Sequence, residues 1–592
     1  MAYSVGIQHL RPSLRSSVAV IHAAFLRHAW PSYALILLLQ LRLLWRMWDL
    51  KDITPGDTSA YFYFANFWFD SFRVNIAWSP LYNAFYGSFL FITRDPYLAT
   101  ILHRLALILL ISTLTLLLLR SVLSPGLALL GAVWWTVVPT NYNNLYEVHL
   151  FALLPILLAW TLILRWDTPW ARGTAVAVLA GSTILVRNEF VIAAALMALM
   201  CLLYERYQTG RALSTKREIL AYGIPLACAA LLCVVAYWRS IAHFPELSAE
   251  LKAKHTVNMC QAFAFGFQQR NSAWAGNPWF DCQSLMQETF GKGLPSFGEM
   301  LWANPAAAME HLLWNLLLIP NGLQLLLFGA MYGGFNPDYI PVVRASYPML
   351  LLPILVAVPL AAALAARHDF CKRSTEWIRN RILLVIAFLP MLPVAFVVAL
   401  VERPRPSYLL YVTIIVIVLF MESVSALLRG RPTWARAIDI FALLMTLALI
   451  VLLPSYYMKH PSTRPLKETI ERLAPQREAL ASAKGPILLG EYASDAALYL
   501  RLGLTTRDPV VSRAAVLDNS VLQQWDRSVP LEQWLANEQI QFVYFDPHVL
   551  QQLRKTPSAM PLLKDPASRG WRLLAYENQG DNSWIFLSKE HQ

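Results

Sequence analysis

The chain has 592 residues, of which 57% are hydrophobic and only 15% are charged. That balance excludes an ordinary soluble globular protein, in which about 25% of residues carry a charge. The formal net charge is +12. The basic residues stand in short connections between apolar runs, so this charge indicates membrane orientation and not nucleic acid as a partner.

The apolar runs predict an α-helical polytopic membrane protein. Runs of about 17–22 residues recur through most of the chain, and a helix of that length crosses a bilayer. A short basic lead comes first, and no small-residue cleavage site follows the first apolar run, so we expect a retained anchor. The sequence predicts about eleven transmembrane helices, at 29–47, 98–119, 123–139, 147–165, 172–186, 190–204, 218–238, 347–366, 381–400, 408–428 and 434–454.

Lysine and arginine predict the orientation of these helices. They cluster in alternate connections, which makes that side cytoplasmic, with the N-terminus inside and the C-terminus outside. The larger outer segments are then 48–97, 239–346 and 455–592. Residues 311–330 are long enough to span, but a span there would move the basic loop 367–381 outward. We therefore expect 311–330 to form an outer-surface or re-entrant hairpin, broken at the Pro-Asn-Gly turn.

The composition changes near residue 455 and becomes that of a soluble protein. We predict two domains, a membrane module at 1–454 and an outward-facing α/β domain at 455–592. Short β-branched and aromatic runs predict the strands of the second domain. The predicted elements are strands at 485–491 and 541–547, a helix at 493–503, and a closing strand pair at 571–578 and 583–588.

Two of the six cysteines, Cys260 and Cys282, share the large outer loop. In an oxidising compartment they could form a disulfide. The alternative is a pair of unpaired, small apolar residues. No CxxC motif and no His/Cys spacing typical of a metal site occurs in the sequence.

Charged residues at membrane depth are costly, so each needs a partner or a function. Arg104, in ILHRLALILL, lies about two turns inside its predicted helix. Asp57, Glu147 and Glu189 are candidate partners near the same predicted surface. Arg187, Arg403 and Arg405 fall near that surface as well. Together these residues could hold an anionic lipid headgroup beside a general base.

Each of these residues also has a simpler interpretation. Asp57 follows a Pro-Gly break and could serve only as a helix N-cap. Glu147 could mark the water interface, and Arg187 with Glu189 could tie a tight turn. The aromatic face of the helix after Asp57, with Tyr61, could line a cavity or lie at headgroup level.

Similar alternatives apply to the remaining candidates. Arg403 and Arg405 could be interfacial anchors. His103 and His149 are more typical of polar packing than of ligands.

Several short motifs occur in a characteristic order. An acid precedes a Tyr-containing helix in PGDTSAYFYFAN (55–66), and a buried arginine begins the next helix in HRLALILL (103–110). Glu147 then starts a helix, an Arg-Asn-Glu turn follows at 187–189, and a long loop leads to RPRPSYLL (403–410). This layout resembles the GT-C superfamily of integral-membrane glycosyltransferases. Within it, the chain is most similar to the aminoarabinose transferases, the protein O-mannosyltransferase type and the RgtA/B/C/D-like group.

The resemblance implies a GT-C-like fold and an inverting glycosyltransferase that takes a sugar from a polyprenyl-phosphate donor. Asp57 would be the general base for an acceptor hydroxyl, and arginines would hold the leaving phosphate. Many relatives have two consecutive acids where this chain has Asp57-Thr58. That departure argues against a paired-carboxylate or metal-binding role at this motif. A divalent metal cofactor bound elsewhere stays open. The implied residues are Asp57 and Glu147 as catalytic; Arg104, Arg187, Arg270, Arg403 and Arg405 as phosphate-binding; and Asp52, Tyr61, His149 and Glu189 as supporting.

The implied partners are the lipid-linked donor, membrane lipid, and a glycan, lipid or protein acceptor. The implied location is a bacterial inner membrane, with the site and the C-terminal domain facing the periplasm. Two alternatives stay open. A polysaccharide polymerase or ligase would use a pyrophosphate-linked donor with loop residues such as His255 and Arg270. A non-enzymatic transporter of lipid-linked sugars would place charges along a path through the membrane.

Overall fold

A computed structural model describes residues 28–53, 56–142, 147–209, 216–240, 244–365, 381–428, 432–456, 464–502 and 516–590. The predicted basic lead and nearly all of the basic loop 367–381 lie outside the described residues. The chain divides into two compact units. The helical unit comprises 1–46, 75–82 and 104–459, and the mixed unit comprises 47–74, 83–103 and 460–592.

The protein is a helical polytopic membrane protein. Within the described residues, 9 helices are long and apolar enough to cross a membrane. They are Pro96–Val122, Glu147–Arg165, Phe190–Gln208, Lys216–Tyr237, Pro305–Phe328, Tyr347–Ala365, Arg381–Val401, Pro406–Leu427 and Thr433–Leu452. All but one of these were predicted from the sequence. The other predicted spans are also helices but are shorter, at Trp30–Leu43, Pro125–Val137 and Pro169–Leu185.

The additional helix corrects the expectation for residues 311–330. A single helix runs from Pro305 to Phe328, so the break predicted at 320–322 is wrong. Pro320 removes only one backbone donor, and the helix continues through it. A Cβ on Gly322 would collide with the carbonyl oxygen of Pro404, so glycine here lets the 402–405 segment approach the helix. The helix is long enough to cross, and the predicted orientation of the chain stays a prediction.

Small residues set the closest helix crossings of the helical unit. Helices Pro169–Leu185 and Lys216–Tyr237 pack against each other. A Cβ on Gly173 would collide with the carbonyl oxygen of Ala221. Such close backbone approach through small residues is typical of helices packed in a membrane.

The predicted outer loop is largely helical. Its helices are Phe244–Arg270, Cys282–Phe290 and Phe297–Ala303. Cys260 and Cys282 form a disulfide, with their Cα atoms 5.5 Å apart, which confirms the pairing that the sequence left open. The bonded cysteines lie in a buried apolar cluster with Phe263, Met286 and Met300.

The described residues of the mixed unit form a five-stranded sheet in the order β2-β1-β3-β5-β4. The strands are β1 (Ile487–Leu488), β2 (Val516–Leu517), β3 (Phe542–Phe545), β4 (Trp571–Glu577) and β5 (Trp584–Lys589). β2, β1 and β3 are parallel, whereas β5 runs antiparallel to β3 and β4. The predicted strands, including the closing pair, are confirmed, and β2 is an addition. The other helices of the chain include Met47–Leu50, Asp57–Ser71, Pro80–Ser88, Pro139–Tyr142, Pro465–Leu473, Arg477–Ala481, Ala493–Leu500, Leu531–Asn537, Pro547–Leu553 and Met560–Lys564.

The first loop segment belongs to the mixed unit through polar contacts with the C-terminal residues. The Asp52 carboxylate accepts hydrogen bonds from the backbone N–H groups of Leu466 and Lys467, both at 2.9 Å. Asp495 accepts from Ser59 Oγ at 2.6 Å, and Arg501 pairs with Asp70. The Asp52 bonds satisfy backbone N–H groups at the start of the helix Pro465–Leu473.

Candidate functional site

Arg104 finds its partner inside the helical unit. Its Nε donates to Glu147 Oε1, and the two residues are only 1% and 3% exposed. Glu147 is the first residue of the helix Glu147–Phe151 and does not mark the water interface. A buried guanidinium and carboxylate stabilise one another, and removing either leaves an uncompensated charge. The pairing explains why Arg104 is tolerated at membrane depth, while the predicted roles of both residues in chemistry stay predictions.

A second group of polar side chains, here called the Arg187 cluster, comprises His149, Arg187, Glu189 and Tyr408. The turn between helices Pro169–Leu185 and Phe190–Thr209 places Arg187 and Glu189 side by side. Arg187 Nε donates to Glu189, its Nη1 is hydrogen-bonded to His149 Nδ1, and its guanidinium lies 5.4 Å from the Tyr408 ring centre. The rings of His149 and Tyr408 meet edge to face at 4.7 Å. Three predicted site residues, His149, Arg187 and Glu189, are therefore brought together here with Tyr408, which the sequence did not single out as a site residue.

The Arg187 cluster forms the polar end of a cleft whose remaining lining is mostly apolar, with Ser407 and Tyr411 as its other hydroxyl-bearing residues. Ala152, Leu153 and Ile156 supply one wall, and Phe190 and Val398 extend the lining. The cleft is narrow in this structure, with a volume of about 20 Å³. That is room for about one water molecule, so binding of a larger group requires the side chains to move apart.

Glu402 interacts electrostatically with Glu189 and Arg187 of this cluster. The sequence did not predict Glu402 as a site residue. Burial and, to a smaller extent, the negative charge of Glu189 raise the pKa of Glu402, whereas Arg187 and Arg405 lower it; the net pKa is about 7. Glu402 therefore exchanges its proton near neutral pH. Its position beside the conspicuous Arg-Pro-Arg segment was the only sequence signal available.

Arg405 is almost fully buried and is tied to the 338–339 segment. Its Nε donates to Asp338 Oδ1 at 3.0 Å, and its guanidinium lies 4.1 Å from the Tyr339 ring centre. It also contacts the cluster, since Nη1 donates to the Tyr408 hydroxyl at 3.3 Å. Burial raises the pKa of Tyr339 to about 12, so its phenol stays protonated beside this arginine.

Arg403 is 0% exposed, and it holds the same loop from a second side. Its Nε donates to the carbonyl oxygen of Pro337 at 2.7 Å, and its Nη2 donates to Gln269 Oε1 at 2.7 Å and to the carbonyl oxygen of Asn336 at 2.6 Å. Burial lowers the pKa of Arg403 to about 10. Arg403 is therefore surrounded by protein groups that accept its hydrogen bonds, and it is not a simple interfacial anchor.

Arg270 lies near Arg403, with which it interacts electrostatically. Arg270 Nε donates to Glu310 at 2.9 Å. Among the described residues, the Nη1 atoms of Arg270 and Arg403 are buried and have no hydrogen-bond partner. Buried donors of this kind are costly unless an acceptor satisfies them.

The mixed unit holds the other predicted site residues. The helix Asp57–Ser71 begins at Asp57 and its N-cap residue is Gly56, so N-capping does not account for Asp57. Asp57 is half-buried, and Tyr61 is buried in the same helix. The Asp52 carboxylate accepts hydrogen bonds from the backbone N–H groups of Leu466 and Lys467 and stabilises the start of the helix Pro465–Leu473. Trp68 packs against Gly87, where a Cβ would lie 2.6 Å from its ring.

The described residues contain no group of three or more His, Cys, Asp or Glu side chains that could hold a metal ion. The divalent metal cofactor that the sequence left open stays a prediction.

Comparison with solved structures finds similarities in fold. No protein-family model matches the chain, and no curated protein matches it. It is similar to the oligosaccharyltransferase of Archaeoglobus fulgidus in the apo form, at 14% identity and a TM-score of 0.44, over 88% of this chain and 69% of that one. The complex of that enzyme with zinc and sulfate gives 14% identity and a TM-score of 0.43, over 94% and 73%. A similarity of this size assigns neither a function nor a site residue to the chain.

Proposed function

We propose that the protein transfers a sugar from a polyprenyl-phosphate donor to an acceptor hydroxyl, with inversion, at the outer face of a bacterial inner membrane. The observation that carries the proposal is the cleft in the helical unit. Its polar end is the Arg187 cluster, and most of its other lining residues are apolar and belong to helices that are long enough to cross a bilayer. A polyprenyl phosphate likewise has a charged phosphate at one end and an apolar chain behind it, so its two parts match the two parts of the cleft.

The charges near the cleft favour an anion at neutral pH. Arg187, Arg405 and Lys254 all act electrostatically on His149. Glu189 and Asp338 balance two of these cations. While Glu402 is protonated the group carries one net positive charge, and it loses that charge as Glu402 ionises. Arginine suits the phosphate because it stays charged and offers several donors in a fixed plane.

The chemistry is a single displacement. The acceptor oxygen attacks the anomeric carbon, the bond from that carbon to the phosphate oxygen breaks, and polyprenyl phosphate leaves with the electron pair. The acceptor proton passes to a general base, for which Asp57 is the residue predicted from the sequence. A positioned base accelerates such a step by about 10²–10⁴-fold. One displacement inverts the anomeric centre.

The polymerase or ligase alternative has one supporting observation. Both Arg187 and Glu189 act electrostatically on His255, so a histidine from the Phe244–Arg270 helix lies near the same cluster. That alternative uses a pyrophosphate-linked donor and releases polyprenyl pyrophosphate. The identity of the released lipid therefore separates the two functions.

The test is sugar transfer by the purified full-length protein in detergent. Donors are a panel of polyprenyl-phosphate and polyprenyl-pyrophosphate sugars, and the released lipid is identified by mass spectrometry. We expect release of polyprenyl phosphate, with at least about a hundredfold loss in Asp57→Asn. Arg187→Gln should raise the donor KM, because it removes a charged donor from the polar end of the cleft.

Two matched variants control for folding. Arg206→Gln removes an exposed arginine at a helix end. Arg172→Gln breaks a buried pair with Glu205, at the opposite ends of the two helices that the Arg187–Glu189 turn connects. The first should change nothing, and the second should lower stability without a specific rise in donor KM. Release from no donor, or a donor KM that is unchanged in Arg187→Gln, would refute the proposal.

A further inference from the structure

A second cavity lies within the mixed unit, at the carboxyl ends of its parallel strands. Its volume is about 430 Å³, within the range of about 300–1,000 Å³ typical of ligand sites. β2 and β3 lie on opposite sides of β1, so the chain reverses its direction across the sheet between β1 and β3. In open sheets of this kind, ligands bind outside the carboxyl ends of the strands at such a reversal.

Each parallel strand contributes a polar residue to the rim of this cavity. Glu491 follows β1, Asp518 follows β2 and His548 follows β3. The turn after β1 is held in place by Asp546, which accepts from the Glu491 N–H at 3.2 Å and from the Val549 N–H at 2.9 Å. Glu491, Asp518 and His548 therefore lie close to strand ends and not in a long loop.

The rest of the lining divides into a polar side and an apolar floor. Gln552 is hydrogen-bonded to His548 at 2.9 Å. Leu522, Trp525 and Leu553 form the floor, and Trp525 is fixed there because its Nε1 donates to the carbonyl oxygen of Val529 at 3.0 Å. An apolar base with a few placed polar groups is the usual composition of a small-molecule site.

We propose that this cavity binds a saccharide, preferably one that carries an amino group. Carboxylates, an amide and an imidazole together offer both acceptors and donors, and sugar hydroxyls need both. Among the described lining residues, the two carboxylates, Glu491 and Asp518, outnumber the one arginine, Arg527. This charge balance favours a neutral or cationic ligand over a phosphate. The proposal stands apart from the transfer reaction, since it concerns binding within the mixed unit.

Other ligand classes fit the lining less well. An anion would meet two carboxylates, and a purely apolar ligand would remove water from seven polar or charged lining side chains. These are Glu491, Asp518, Gln523, Arg527, His548, Gln552 and Thr556. A metal ion is disfavoured by the ligands themselves, since the described residues hold no cluster suited to one.

The test is saturation-transfer NMR and calorimetric titration of the full-length protein in detergent. The probes are the glucosamine trimer, cellotriose and inorganic phosphate. We expect the glucosamine trimer to bind more tightly than cellotriose, and phosphate not to bind. Glu491→Gln and Asp518→Asn should each weaken the glucosamine trimer by about tenfold or more, because each removes a charged acceptor. Gln552→Trp should block the cavity.

Glu538→Gln is the matched control, because it removes an exposed carboxylate of the same unit outside the cavity. Its saccharide affinity should equal that of the wild type. Binding of phosphate in preference to both saccharides, no binding of either saccharide, or equal weakening in the control would each overturn the proposal. Since binding is read directly, the result does not depend on whether any sugar is transferred.

Discussion

The buried pair of Arg104 and Glu147 gives a test that separates a structural role from a chemical one. Both side chains are almost fully enclosed, and each neutralises the other. Arg104→Leu leaves the Glu147 carboxylate buried without the Arg104 cation. Glu147→Leu leaves the Arg104 guanidinium buried without the Glu147 carboxylate. Removing one partner of such a pair costs about 3–5 kcal/mol, whereas replacing both by apolar groups is often neutral.

The double variant Arg104→Leu/Glu147→Leu should therefore be more stable than either single variant. The measurement is unfolding of the four proteins in mixed micelles, from which the coupling energy of the pair follows. Independent sites add to within about 0.5 kcal/mol. A double variant whose loss of stability equals the sum of the two single losses would refute the pairing.

The same double variant also addresses chemistry. Arg104 is already bonded to Glu147, so we expect the folded double variant to retain most of the transfer rate of the wild type. A hundredfold loss of turnover in a folded double variant would contradict this expectation. It would support the prediction that these two residues act directly on the donor.

Three further predictions follow from the described contacts. Donor affinity should fall as the pH rises through about 7, because Glu402 then ionises and removes the net positive charge beside the cleft; titration calorimetry from pH 6 to 8.5 measures it. Loss of the disulfide in Cys260→Ser/Cys282→Ser should cost about 2–4 kcal/mol, which a thermal unfolding series with and without reductant detects. Gly322→Ala should displace the segment at Pro404 and lower donor affinity, because its Cβ would collide with that carbonyl oxygen.

Each of these predictions has its own control. Glu402→Gln should keep wild-type affinity for donor at low pH and lose the pH dependence. Reductant should not lower the stability of the double serine variant any further. Gly298→Ala adds a methyl group where nothing lies within 4 Å, so donor affinity should not change. A pH dependence that survives Glu402→Gln, or equal losses in Gly298→Ala and Gly322→Ala, would contradict the reasoning.

The sequence by itself determined the membrane class and most of the local structure. Hydropathy and strand patterns are local properties, so the apolar runs became helices, and the runs around β1, β3, β4 and β5 became strands. The prediction was wrong at residues 311–330. The Pro-Asn-Gly sequence there predicts a turn, but the apolar residues on both sides form one continuous helix. Helix packing, including the contact of Gly322 with Pro404, tolerates a proline that local rules treat as a break.

Only the tertiary structure decided which charges meet. Arg104 had three acidic candidates in the sequence, and its pairing with Glu147 depends on how separate helices pack. The attachment of Asp52 to the helix at Pro465–Leu473 joins residues more than four hundred positions apart. The proton affinity of Glu402 arises from burial and from Glu189, neither of which a linear pattern contains. Hydrophobicity is a property of each residue, whereas the partner of a charge is a property of the folded chain.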